Sequence, residues 1–140
     1  MIKEFVEKWD KHKKDLENYF RTTPQIEYQD YIDIVKALFF EVINAGNIHG
    51  GNDFDINNIV VIDDGEYQGN QIFILHKNNY QPSVDDNDYV YTNTYYGSCS
   101  GCDTLQSISG YTDGLPTEEQ VKDYMQLALN LLQKCHYMED

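Results

Sequence analysis

The spacing of apolar residues changes period twice along this chain, and that change limits the fold more than any single motif. Ile2, Phe5, Val6, Trp9, Leu16, Tyr19 and Phe20 recur at three- and four-residue steps, which predicts an amphipathic helix with lysines and glutamates opposite. Thr22, Thr23 and Pro24 end that helix and open the next. Its stripe runs through Tyr28, Tyr31, Ile32, Val35, Leu38, Phe39, Val42 and Ile43, with Gly46 where a left-handed C-terminal cap belongs. Two amphipathic helices with a short link should pack as a hairpin.

After a Gly/Asn/Asp-rich loop, the period shortens to that of strands. Ile59 to Ile62 and Ile72 to Leu75 are continuous apolar runs, which point to burial on both faces or a central place in a sheet. Asp64-Gly65 and Gly69-Asn70 are both turn-forming pairs, so the hairpin register stays open. Tyr80 to Asn87, holding Pro82, is a connection. From Tyr89 to Tyr96 the chain alternates, with Tyr89, Tyr91, Asn93 and Tyr95 on one face and Val90, Thr92, Thr94 and Tyr96 on the other. The helical period then returns. Thr117 and Gln120 form a capping box, and Val121, Tyr124, Met125, Ala128, Leu131, Leu132 and Cys135 share one face. The predicted fold is α+β, as one domain over residues 1–140. It comprises a helical hairpin (1–46), a three-stranded antiparallel meander (47–96), a cysteine turn with a short helix (97–110), and a C-terminal amphipathic helix (116–137) packed on the sheet.

Charge narrows the partner class. The chain has 24 acids against 10 bases, a net charge of −14, and 12 tyrosines. Residues 1–20 are neutral, whereas between Ala37 and Val121 one base, Lys77, faces 13 acids. That balance argues against gripping nucleic-acid phosphates or anionic lipid, and it leaves two readings, a solvated surface that promotes solubility and a surface that engages a basic partner. No apolar run is long enough to cross a membrane, and MIKEFVEKWDKHKK lacks the apolar core of a secretion signal. The expected location is therefore the cytosol, in keeping with three cysteines, too few for a disulfide framework.

Gly97-Ser98-Cys99-Ser100-Gly101-Cys102-Asp103 is the one locally distinctive stretch. A Cys-x-x-Cys at a strand-to-helix junction can carry a reactive thiolate, but Asp103 and the absence of nearby cations work against one here. Cys99 and Cys102 also have the spacing of half a zinc site, with Cys135, His136, His76 and His49 as candidates for the remainder. The simpler reading is a structural turn in which Ser98, Ser100 and Asp103 bond the backbone, Asp103 caps a short helix, and no cofactor is bound. Asp53-x-Asp55-x-Asn57 begins like a calcium loop, but Asn58 stands where glycine is needed. No catalytic triad can be assembled, and His49 has no nucleophile tied to it, so the chain reads as non-enzymatic.

The stretch YTNTYYGSCSGCDTLQSI, with YQGNQIFILHKNNYQPS before it and GLPTEEQVKDYMQLALNLLQK after it, resembles small bacteriophage and prophage proteins with no established activity. The likeness covers about Ile59 to Lys134 and implies a phage or mobile-element gene acting in a bacterial cytoplasm. It marks Cys99, Cys102 and Asp103 as signature positions. The expected function is an acidic protein-binding module, in its sharper form an anti-CRISPR-like inhibitor of a host defence nuclease. Carboxylates would then stand in for phosphates in a basic groove, which requires them to form one ridge. The expected contacts are Asp63, Asp64, Glu66, Asp85, Asp86, Asp88, Tyr89 and Tyr91. The alternatives are a zinc- or thiol-dependent protein centred on Cys99 and Cys102, and a phage structural or assembly factor.

Overall fold

The computed structural model describes residues 2–25, 29–46, 53–66, 68–78, 88–98, 103–109 and 114–138. Its first helix, α1 (Lys3–Thr22), buries Phe5, Trp9, Leu16 and Phe20, as the stripe predicts. The second does not begin at Pro24. Gln25 is held in an extended bridge to Gly114, its N–H donating to the Gly114 carbonyl at 2.6 Å. Helix α2 (Tyr31–Leu38) starts where the Asp30 N–H meets Asp33 Oδ2 at 3.4 Å.

At its end α2 widens into a π-helical turn, Phe39–Ile43, closed by the Asn44 N–H donating to the Phe39 carbonyl at 2.8 Å. Two long-range contacts hold that turn. Lys8 Nζ donates to the Ile43 carbonyl at 2.6 Å, and the Asn44 side chain exchanges two hydrogen bonds with the Phe54 backbone at 2.9 and 3.0 Å. Phe54 is thereby pinned against Phe5 and Phe39, the three rings meeting edge to face 5.5–6.1 Å apart. Gly46 follows with φ of +82°, the left-handed conformation expected of it.

The sheet is antiparallel throughout and has four strands, one more than expected. These are β1 (Val60–Asp63), β2 (Gly69–His76), β3 (Tyr89–Tyr96) and β4 (His136–Tyr137), in that spatial order. The extra strand comes from the predicted last helix. Helix α4 (Glu118–Gln133) stops short of residue 137, and the chain then extends to cover the edge of β3. Its start matches the expected capping box: Gln120 N–H donates to Thr117 Oγ1 at 3.1 Å and Thr117 N–H to Gln120 Oε1 at 2.9 Å.

Register settles the hairpin turn. Asp63 faces Gln71, and the Asp64 N–H donates to the Asn70 carbonyl at 3.1 Å. The connection closes over Gly65 and Gly69, where a Cβ at Gly65 would collide with the Gln68 carbonyl and one at Gly69 would lie 2.6 Å from Asp64 Oδ1.

Phe73, Leu75, Val90 and Thr92 point to one side of the sheet and are fully buried there. Helix α4 lies on that side, with Thr92 Oγ1 donating to the Leu131 carbonyl at 2.7 Å. These strand residues share a single core with α1, α2, α4 and the short helix α3 (Thr104–Ser109). The continuous apolar run of β2 does take a central place. That of β1 does not: it is an edge strand exposed along its whole length, because the helical layer ends before reaching it.

Candidate functional site

With the helices on one face, the side chains of opposite parity make up the other. Register places Val60, Ile74, Tyr91 and His136 in one row across all four strands, and Ile62, Ile72 and Asn93 in a second. Asn70 and Tyr95 pair at the hairpin end, and His76 and Tyr89 at the opposite end. Val60, Ile62 and Tyr95 are 54%, 48% and 51% exposed, and Ile72, Ile74 and Tyr91 are half-buried. The imidazole of His76 stacks on Tyr89 at 6.1 Å, and His136 leans on Tyr91 at 5.8 Å. The alternation read for β3 is correct: Tyr89, Tyr91, Asn93 and Tyr95 share this open face, while Val90, Thr92 and Thr94 are buried.

The acids fall at the two ends of the sheet, and by register Asp63 lies in the row of Gln71 and buried Thr94, on the helix side. Asp63, Asp64 and Glu66 cluster at the β1–β2 turn. Asp88 stands at the start of β3, where its carbonyl accepts from the Lys77 N–H at 2.9 Å. Seven residues of β2 separate the two positions, about 24 Å at roughly 3.4 Å per residue. The expected contacts are thus only partly brought together. Tyr89 and Tyr91 lie on the face, Asp63, Asp64 and Glu66 at one end and Asp88 at the other, while Asp85 and Asp86 lie outside the described residues. Among the described acids there is no continuous ridge.

At the turn, Asp63 is well organised. Its carboxylate accepts from the Tyr96 hydroxyl at 2.6 Å, the Gly65 N–H at 2.9 Å and Gln71 Nε2 at 3.2 Å. These donors, Tyr96 foremost, hold it below the ordinary carboxylate range, and the same bond pushes the Tyr96 phenol up to about 12. Asp64 accepts from the Asn70 N–H at 2.7 Å. Asp55 is bonded by Asn57 and Asn58 and is lowered chiefly by the Asn58 side chain, which engages the carboxylate that a calcium loop would use. Among the described residues the ion pairs are His12–Asp15, Arg21–Glu17 and Arg21–Glu118, all on helices. None neutralises an acid of the sheet.

The cysteine turn is visible only at its flanks, since Cys99 and Cys102 lie outside the described residues. Asp103 is buried and its carboxylate fully engaged. It accepts from the Tyr31 hydroxyl at 2.9 Å, the Gln106 N–H at 3.1 Å and the Gly97 N–H at 3.0 Å. Asp103 thus caps α3, as expected, and also ties that helix to the end of β3. Cys135 and His136 part company: the thiol is buried, donates to the Leu131 carbonyl and is pushed up to about 12 by burial, whereas His136 sits on the open face. Among the described residues no three His, Cys, Asp or Glu side chains gather as a metal site would require, and no helix is long and apolar enough to cross a membrane.

The residues that sequence reasoning missed are Val60, Ile62, Ile72 and Ile74. Their signal was present in β3. Once Tyr91 and Asn93 face away from the helices, every register partner of those two must do the same.

Fold and face together define an acidic α+β protein with a one-sided antiparallel sheet. Comparison with protein-family models, curated proteins and solved structures finds no match to this chain.

Proposed function

We propose that this protein is a non-enzymatic binding module that presents the open face of its sheet to a basic surface of another protein. The observation that carries this reading is the apolar and aromatic row Val60–Ile74–Tyr91–His136, which among the described residues has no helical layer over it and has acids without salt bridges at both ends of the sheet. Protein interfaces have this anatomy, with an apolar core rich in tyrosine and a charged rim that steers the encounter. A carboxylate ridge replacing a phosphate backbone would instead need acids along the strand. The separation of Asp63, Asp64 and Glu66 from Asp88 favours a partner with an apolar centre and Lys or Arg at its margins. A host defence nuclease is the sharper form of this reading, because such enzymes surround their nucleic-acid grooves with basic residues.

Site-specific photo-crosslinking in bacterial lysate tests it. A crosslinker replacing Ile72 on the open face should trap a basic protein, and trapping should fall as salt rises from low to roughly 0.5 M. The same group replacing Lys14 on α1 should trap nothing comparable. Equal trapping from both positions, or trapping indifferent to salt, would overturn the proposal. Competition by added RNA or DNA identifies a nucleic-acid-binding partner.

A further inference from the structure

The open face ends at β1, which is an edge strand of the sheet among the described residues. Antiparallel pairing alternates between residues that bond to the neighbouring strand and residues whose N–H and C=O point away from it. Because Asp64 bonds to Asn70, the even-numbered residues of β1 bond to β2, and the backbone groups of Val61 and Asp63 point outward. Among the described residues no strand pairs with that side. Folded proteins usually blunt such edges with lysine, proline or a bulge. Here the edge carries Val60, Val61 and Ile62, all exposed, beside Asp63, Asp64 and Glu66.

We propose that β1 accepts an extended segment of a partner protein as an additional strand, and that this segment alternates apolar with basic residues. The inference rests on the binding-module reading and names how its partner engages. Strand addition would use the outward backbone groups of Val61 and Asp63 for affinity and the two faces of the sheet for specificity. On the open face, Val60 and Ile62 present apolar neighbours, so the added side chains there are apolar. On the other face lie Val61 and, toward the turn, the Asp63 carboxylate, so an added side chain beside Asp63 is Lys or Arg. Charge argues against a second copy as the occupant, since two chains of −14 would have to meet edge to edge.

The probe is an acetylated and amidated peptide of about ten residues alternating valine with lysine, long enough to span the edge at roughly 3.4 Å per residue. It should bind and slow hydrogen exchange at the Val61 and Asp63 amides, whereas the valine–glutamate analogue should not. Val61→Pro removes an outward N–H without touching the β1–β2 bonds, a place where edge strands tolerate proline. It should weaken binding at least about tenfold, while Val61→Thr keeps the N–H and should bind within roughly threefold of the original. Methylating alternate peptide nitrogens makes the same test with the protein unaltered and should also abolish binding. Undiminished binding by Val61→Pro or by the methylated peptide would overturn the inference. So would exchange protection confined to other elements, or a peptide-free dimer that Val61→Pro dissolves. If crosslinking from Ile72 still traps a salt-sensitive basic protein while the peptide arms fail, strand addition falls and the open-face reading stands.

Discussion

The hydroxyl of Tyr31 donates to Asp103 and accepts from the Leu105 N–H at 3.1 Å, so one phenol satisfies polar groups of two elements inside the core. Burial foremost, then the neighbouring Asp103 charge, raises its pKa, and the phenol stays neutral and able to donate. Tyr31→Phe keeps the ring but strands a buried N–H and removes a donor from a buried carboxylate. It should cost about 1–3 kcal/mol in denaturant unfolding. Asp103 as a helix cap is legible in the sequence because a cap is read from the next three residues. Its partnership with Tyr31 is not, because 72 positions separate them. The Asp63–Tyr96 pair gives a pH prediction. Asp63 is lowered on folding, so its contribution is present above the unfolded value near 3.8 and is lost as pH falls through the lower folded value. Tyr96 is raised, so its contribution is complete below 10 and lost between 10 and about 12. Asp63→Asn should bring the Tyr96 titration down from about 12 toward 10, followed through ring-carbon shifts of labelled tyrosine. An unmoved titration would show that the bond does not hold Tyr96.

Elements differ in how far they can be read in advance. α1 and α4 have apolar stripes, and α4 has a capping box, all short-range features that the structure reproduces. The β1–β2 hairpin offered two turn signals and no ground for choosing. The structure uses both, with Asp64 opposite Asn70 and glycines on either side of the connection. Gly65→Ala would drive a methyl group into the Gln68 carbonyl and force the turn to rearrange. A loss of about 1–3 kcal/mol is expected, together with faster amide exchange in β1 than in β3. Unchanged stability and exchange would mean that the turn accommodates a Cβ. Helix α2 begins at Tyr31 and not directly after Pro24 as the sequence suggests. The bridge between Gln25 and Gly114, which keeps the chain extended there, joins segments far apart in sequence.

Over the whole molecule, uncompensated acid is the main electrostatic fact. The cations are concentrated on the helices, whose faces carry the ion pairs of Arg21, while among the described residues the acids of the sheet form no salt bridge. Self-repulsion of this kind should make the thermal midpoint rise by a few degrees between low salt and roughly 0.15 M, where the screening length is about 8 Å. Asp63→Asn or Glu66→Gln should each reduce that salt response, and a midpoint that falls with salt would contradict the charge distribution. The α+β class, the helix periods, the capping of α3 and α4, and the two-faced alternation of β3 follow from residues within a few positions of one another. The apolar runs of β1 and β2 looked alike in the chain, yet one became a centre strand and the other an exposed edge. The two groups of acids, one before β2 in the chain and one after it, are held about 24 Å apart at its opposite ends. Short-range preferences are complete before the chain collapses. Whether a strand is covered depends on where helices from both ends of the chain come to rest, and that is a property of long-range packing.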